Sequence, residues 1–142
     1  MAQYSNLEWQ YPGLADVGSY QMSGIPYLSS SITVPANTST PLKIQFPNVT
    51  KFITIINTGS VVTPNLKVGF SLNGISGSGT NFLTLAYGES YTGEWRVEDM
   101  FLYSAGPVQT SASIVAALTQ IPRGIPSLVS VGNNWSGSAG IG

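Results

Sequence analysis

The sequence predicts an all-β protein in which eight short antiparallel strands form a sandwich of two facing sheets. Short segments alternate apolar and polar residues, which is the period-two pattern of a strand with one buried face. The chain also carries 16 glycines and 9 prolines, and they separate these segments at intervals of roughly 8–12 residues. No window of about 12 residues keeps a helical period without one of them, so long helices are not expected.

Three strands are predicted in the first part of the core. A short first strand is expected at residues 30–34, where β-branched residues are frequent. In the second, 41–46, apolar and polar residues alternate, and Pro47 ends the strand because proline donates no backbone hydrogen bond. The third, 51–57, is apolar on both faces, so it is predicted to lie inside a sheet and to end at the following Thr-Gly pair.

The clearest strand signal is the fourth, at residues 66–73. Apolar residues occupy every second position, and an Asn-Gly turn dipeptide closes the segment. Four side chains therefore share one face and are predicted to fill the core: Leu66, Val68, Phe70 and Leu72.

Four more strands complete the prediction, at residues 81–85, 89–97, 100–104 and 111–119. Within the second of these, Trp95 alternates with polar neighbours, so its indole is predicted to fill the core as well. Eight strands of this length fit a jelly roll, which is two facing sheets built from Greek keys. An immunoglobulin-type sandwich is the alternative, although the Cys…Trp…Cys landmark of that fold is missing.

The chain is long enough for one domain, and three parts of it differ in composition. Residues 29–122 hold the predicted β core, 1–28 form an N-terminal arm, and 123–142 form a C-terminal tail rich in Gly and Ser. Both arms contain aromatic residues, which give extended segments a large contact area on a neighbour. Three of these are predicted assembly contacts: Trp9, Tyr11 and Trp135. The alternative is that the arms fold back on their own domain.

Charge is scarce in this chain. Five Lys or Arg and six Asp or Glu make up 8% of the residues, with a net charge of −1, whereas an average domain has roughly 25% charged residues. Such a surface favours burial against other protein, because free monomers usually keep more charge for solubility. A monomer solvated by Ser, Thr and Asn is the alternative. Nucleic-acid binding is not expected, because five scattered basic residues form no concentrated basic surface.

The sequence contains few of the residue types that enzymes use for catalysis. With no histidine and no cysteine, it is not expected to hold a Zn or Fe site, a Ser-His arrangement or a thiolate, and no cofactor is predicted. One cluster of carboxylates stands out: Glu89, Glu94, Glu98 and Asp99. A glycosidase pairs two carboxylates roughly 5–10 Å apart, and Glu94 with Glu98 or Asp99 is the candidate pair at that separation. However, Glu98 and Asp99 are predicted at a turn between strands, where solvated acids are ordinary, and Glu94 is predicted on the face opposite Trp95. We therefore expect no enzyme.

A second function class rests on aromatic residues. Tyr87, Tyr91, Trp95 and Tyr103 are candidates for stacking against sugar rings, which makes a carbohydrate-binding, lectin-like module the alternative to a structural role. The N-terminus lacks the basic and apolar regions of a signal peptide, so synthesis in the cytosol is expected. No apolar run of about 18 residues predicts a membrane span.

Several stretches resemble the single jelly-roll penton proteins of large icosahedral double-stranded DNA viruses: ITIINTG (53–59), LKVGFSLNG (66–74), LTLAYGESYTGEWRVEDMFL (83–102), ASIVAALTQIP (112–122) and the terminal NNWSGSAGIG (133–142). The resemblance implies a capsid protein made in the host cytoplasm and located in the virion. It implies a homopentameric ring at each five-fold vertex, in contact with neighbouring major or minor capsid proteins. It transfers no catalytic, cofactor or metal residues.

Overall fold

The computed structural model describes residues 24–76, 79–124 and 135. Within this part of the chain there are eight strands and one helical turn, in the following order: β1 (Ile25–Val34), β2 (Leu42–Gln45), β3 (Asn48–Asn57), β4 (Leu66–Gly69), α1 (Leu72–Ile75), β5 (Leu83–Leu85), β6 (Ser90–Gly93), β7 (Asp99–Ser104) and β8 (Thr110–Pro122). The protein is therefore an all-β sandwich of eight strands, as the sequence predicts.

The strands form two antiparallel sheets with four strands each. The first sheet has the order β1-β8-β3-β6, and the second has the order β2-β7-β4-β5. Four of the strand pairs are nested in the sequence: β4 with β5, β3 with β6, β2 with β7 and β1 with β8. Successive pairs lie in alternate sheets, as if one long hairpin had been rolled into a sandwich. This arrangement is the jelly roll, and it excludes the immunoglobulin-type alternative.

The hydrophobic core lies between the two sheets. Strand β3 illustrates how it forms, because Ile53 and Ile55 are fully buried, while Thr54 between them and Ile56 after them are only partly covered. The buried members of the core come from both sheets and from two connections between strands: Val34, Phe46, Ile53, Ile55, Leu66, Val68, Leu85, Val97, Met100, Leu102, Ala112, Ile114, Ala116 and Leu118. Phe70 and Trp95 are partly buried and pack against this cluster.

Strand β4 is shorter than predicted, and one predicted core residue is misplaced. The strand ends at Gly69, and Leu72 is 42% exposed. The Ser71 hydroxyl accepts a hydrogen bond from the Gly74 N–H at 3.0 Å and caps a helical turn, Leu72–Ile75. The alternation of apolar residues continues past Gly69, but the cap turns the chain away from the sheet, so the prediction for Leu72 was wrong.

Strand β6 is also shorter than the predicted 89–97 segment. It ends at Gly93, and the following residues bond to the Thr50 side chain. The Thr50 hydroxyl donates to the Trp95 carbonyl at 2.5 Å and accepts from the Val97 N–H at 3.2 Å. Beside these bonds, the Thr50 backbone N–H donates to the Val97 carbonyl at 2.9 Å. A side chain therefore supplies part of the pairing beyond Gly93, which the pattern of apolar residues does not reveal.

The strands at the two ends of the core are longer than predicted. β1 begins at Ile25, inside the region assigned to the N-terminal arm, and β8 continues to Pro122. The two strands pair from Ile25–Leu118 to Val34–Thr110, with an irregularity in β1 where Ser31 has a φ of 56°. Pairing with the long central strand β8 explains why β1 extends beyond its apolar segment.

Candidate assembly surfaces

Four connections meet at one end of the sandwich, which we term the loop end: residues 35–41, 58–65, 86–89 and 105–109. Backbone hydrogen bonds hold them together. The Asn37 N–H donates to the Gly106 carbonyl at 2.9 Å, and the Ala105 N–H donates to the Asn65 carbonyl at 2.9 Å. The loop end is therefore one continuous surface.

Asn57, which is buried at the end of β3, connects two of these loops. Its side-chain amide donates to the Leu85 carbonyl at 2.9 Å, and its side-chain oxygen accepts from the Gly59 N–H at 2.9 Å. Its backbone N–H donates to the Glu89 carbonyl at 2.9 Å, and its carbonyl accepts from the Gly88 N–H at 3.1 Å. All four of these polar groups are paired, as burial requires.

The loop end exposes large apolar side chains on a rigid turn. Val61 is 81% exposed and Val62 is 84% exposed. The turn beneath them is closed by the Thr63 N–H donating to the Ser60 carbonyl at 3.1 Å and by the Ser60 N–H donating to the Thr63 hydroxyl at 2.9 Å. Tyr87 and Val108, in two neighbouring loops, are also more than half exposed.

Charge is almost absent from this end of the molecule. The four loops contain one charged residue, Glu89, and its carboxylate accepts a hydrogen bond from the Ala86 N–H of its own turn at 2.7 Å. An exposed apolar surface with so little charge is typical of the centre of a protein interface.

The first sheet presents a second uncharged surface on the side away from the core. One row crosses all four strands, because Leu28 pairs with Val115, Val115 with Thr54 and Thr54 with Thr92. The hydroxyls of Thr54 and Thr92 lie 2.7 Å apart, and Leu28 is 72% exposed. We term this surface the outer face and define it by six residues: Leu28, Phe52, Thr54, Ile56, Thr92 and Val115. By contrast, Ile75 of α1 packs on Phe101 and Tyr103 of the second sheet.

Two carboxylates lie buried near the opposite end of the sandwich. Glu98 and Asp99 are each 1% exposed, so the prediction of solvated acids at a turn was wrong. Arg123, just after β8, donates to Asp99 Oδ1 at 2.6 Å and to the Glu98 carbonyl at 2.9 Å. The Gly124 N–H donates to Glu98 Oε2 at 3.0 Å, and Lys43 Nζ lies 3.7 Å from Asp99 Oδ2. Sequence spacing does not reveal this cluster, because Arg123 is 24 residues from Asp99.

This buried cluster has the geometry of a structural ion pair. Arg123 Nη1 also donates to the Phe46 carbonyl at 3.1 Å, so the guanidinium joins the end of β8 to the start of β7 and the β2–β3 turn. Glu94, which with Glu98 or Asp99 was the candidate glycosidase pair of the sequence, is exposed instead of sharing this buried environment. Among the described residues, no group of three or more acidic side chains is placed to hold a metal ion.

The four aromatic residues considered for sugar binding do not form one platform. Tyr103 is buried, and its hydroxyl donates to the carbonyls of Asn37 and Ser39. Tyr87 lies at the loop end, before β6, whereas Trp95 follows β6 at the opposite end of the sandwich. Only Tyr91 and Trp95 come together, stacked with ring centroids 5.5 Å apart and an interplanar angle of 14°.

Trp95 also contributes to a cleft of about 370 Å³ between the β4–β5 connection and the segment after β6. Phe70 meets the indole edge-on at 5.0 Å, and Phe82 and Asn81 complete the opposite wall. Lys67 Nζ lies 4.4 Å from the centroid of the Phe82 ring, which places a cation beside the cleft. The cleft thus combines aromatic surface with a few polar groups.

Of the three predicted assembly contacts, the structure places one. Trp135 is half-buried and packs against the hydrophobic core of its own domain, which matches the alternative that this part of the tail folds back. Trp9 and Tyr11 lie outside the described residues.

The chain matches no protein-family model, and no curated protein matches its sequence. In the part of the chain that the structure describes, no helix is long and apolar enough to cross a membrane.

Proposed function

We propose that this protein is a structural capsid subunit, a penton whose five copies form a homopentameric ring at each five-fold vertex of an icosahedral double-stranded DNA virus. In this proposal the protein is not an enzyme and uses no cofactor. It resides in the virion capsid after synthesis in the host cytoplasm. The observation that carries the proposal is the loop end, where four exposed apolar side chains stand on bonded turns with one charged residue among them.

The jelly roll supports this proposal but does not decide it, since capsid, lectin and cupin domains all use that architecture. The composition of the loop end gives further support. Interface centres are depleted in charge and rich in apolar and aromatic side chains, and the loop end has both properties. A five-fold ring needs heterologous contacts, in which one side of a subunit meets a different side of the next and the rotation closes. The outer neighbours of the ring would be major or minor capsid proteins.

Particle composition tests the proposal directly. Purified virions that carry this chain should contain roughly 60 copies per particle, five at each vertex of the icosahedron. Quantitative mass spectrometry of the particles measures the copy number, and a cryo-electron microscopy map locates the jelly roll. The absence of the chain from purified particles, or a copy number close to that of the main shell protein, would refute a penton role.

The cleft beside Trp95 favours carbohydrate binding as a second candidate function. Phe70, Trp95 and Phe82 supply apolar ring surface, and Asn81 supplies an amide, which is the mixture that sugar-binding sites use. A glycan array probed with the isolated protein tests this candidate. Binding should be lost in Asn81→Ala and retained in Asn65→Ala, an exposed asparagine at the loop end. No signal at high micromolar protein would remove carbohydrate binding as a function.

A further inference from the structure

The six residues that define the outer face of the first sheet carry no charge, and the described residues leave this face partly open. Leu28 is the most exposed apolar side chain of the strands, and Val115 beside it is also exposed. The equivalent side of the second sheet is covered by α1, where Ile75 packs on Phe101 and Tyr103.

The chain enters the sandwich from this same side. Ala117 belongs to the outer side of β8, because Ala116 and Leu118 on either side of it face the core. Gly24 lies so close to Ala117 that any side chain at position 24 would overlap the Ala117 Cβ. The described domain therefore begins against the outer face, and 23 residues precede Gly24 in the sequence.

We propose that the N-terminal segment, residues 1–23, docks across the outer face of its own chain. The segment has the right composition for this surface. Trp9, Tyr11 and Tyr20 supply aromatic area, and the segment contains no Lys or Arg. Burying these rings against an uncharged face removes apolar surface from water on both partners.

Charge complementarity supports the same pairing. The two charged side chains of the segment are both acidic, Glu8 and Asp16. Beside Phe52, at the margin of the outer face, lies a groove of about 390 Å³ lined by Lys51, Arg96 and Glu94. This groove has two cationic side chains and one anionic side chain, so its net charge is opposite to that of the segment.

The segment is long enough to reach every part of the face. Fourteen residues separate Trp9 from Gly24 and span up to about 46 Å when extended. Four strands spaced at about 4.8 Å are only about 14 Å across. Because the segment is tethered, its effective concentration at the face is about millimolar, so a weak contact is enough to populate the docked state. The inference gives Trp9 and Tyr11 an intramolecular contact in place of the contact with neighbours that the sequence suggested.

Thiol reactivity in the whole chain tests the inference, because the natural sequence has no cysteine. A Thr54→Cys substitution places a thiol in the middle of the outer face, and Val62→Cys places the control thiol at the loop end. Adding Trp9→Ala and Tyr11→Ala should accelerate labelling of the Thr54→Cys thiol by at least about fivefold and leave the Val62→Cys thiol unchanged. The acceleration should be the same at every protein concentration. Equal rates with and without the two aromatic rings would overturn the inference, and protection that grows with protein concentration would assign the face to a second copy instead.

A disulfide trap covers the case in which the alanine variants lose their fold and both thiols react faster. Mild oxidation of a Trp9→Cys, Thr54→Cys chain should give a cross-link within one monomer, whereas Trp9→Cys with Val62→Cys should give none. A failure to form the intramolecular cross-link, or equal cross-linking of the control pair, contradicts the docking. The outcome does not depend on the proposed capsid role, since particle composition tests that role separately.

Discussion

Leu66 and Leu72 show that two leucines of one segment can differ in burial. Both belong to the same alternating pattern, six positions apart, yet Leu66 is fully buried and Leu72 is 42% exposed. The Ser71 cap between them is the cause, because it starts a helical turn where the strand pattern continues.

The first prediction uses this natural pair. Leu66→Ala should lower the free energy of unfolding by about 2–5 kcal/mol, since it leaves a cavity in the core. Leu72→Ala should lower it by less than about 1 kcal/mol, since the Leu72 side chain already lies partly in solvent. Urea unfolding of the two variants measures both values. Equal losses would mean that the strand continues past Gly69, as the sequence pattern suggested.

Gly93 supports the second prediction, because a side chain there would overlap the indole of Trp95. The indole packs against both Phe70 and the stacked Tyr91 ring, so moving it to relieve the overlap disturbs two aromatic contacts. Gly93→Ala should therefore destabilise the protein by about 1–3 kcal/mol. In a Trp95→Leu background the same substitution should cost less than about 0.5 kcal/mol, and a double-mutant cycle measures the difference. A cycle with no coupling would contradict the predicted overlap.

At the scale of elements, the end of β8 is held by charge. Arg123 bonds to Asp99 and to two carbonyls, while Lys43 approaches Asp99 from a more exposed position at 3.7 Å. Removing the guanidinium leaves two buried carboxylates without their main cation.

Arg123→Met should therefore destabilise the fold by about 3–5 kcal/mol, and Lys43→Met by less than about 1 kcal/mol. Chemical denaturation of both variants gives the comparison. Adding Glu98→Gln and Asp99→Asn to Arg123→Met should recover part of the loss, because the neutral amides no longer bury unpaired charge. Similar effects of the arginine and lysine substitutions would show that this cluster contributes little to stability.

Trp135 connects the C-terminal tail to the core. Because its ring packs against the core, Trp135→Ala should lower the free energy of unfolding by about 1–2 kcal/mol, less than for a fully buried tryptophan. Val62→Ala, on an exposed turn, serves as the control and should leave stability unchanged. Thermal unfolding of the isolated subunit gives both values. An unchanged melting temperature for Trp135→Ala would contradict packing on the core and would favour a contact between the tail and neighbouring subunits.

For the whole molecule, the loop end is the surface on which the proposed ring depends. Replacing Val61 and Val62 with serine should leave the free energy of unfolding within about 0.5 kcal/mol of the natural value, since both side chains are exposed. The same change should weaken subunit association, or incorporation into particles, by at least about tenfold. Native mass spectrometry at high protein concentration measures association. Leu72→Ser, at the opposite end of the sandwich, is the control and should assemble normally, and equal assembly of both variants would rule out the loop end as an assembly surface.

The sequence by itself determined that this chain is a β-sandwich. Alternation along β2 and β3 identifies which residues share a face, and the glycines and prolines mark the turns between strands, because both signals are local. The same locality explains the errors, since a capping serine at Ser71 and a bonding hydroxyl at Thr50 end strands whose apolar pattern continues.

Only the tertiary structure decided which surfaces the protein presents. The outer face exists because β1, β8, β3 and β6 bring Leu28, Val115, Thr54 and Thr92 into one row. The burial of Glu98 and Asp99 depends on Arg123, which follows the end of β8, 24 residues beyond Asp99. Alternation indicates the face on which a side chain lies, but it does not indicate which distant segment packs against that face. That packing decides whether a side chain is buried, forms an ion pair or stays exposed.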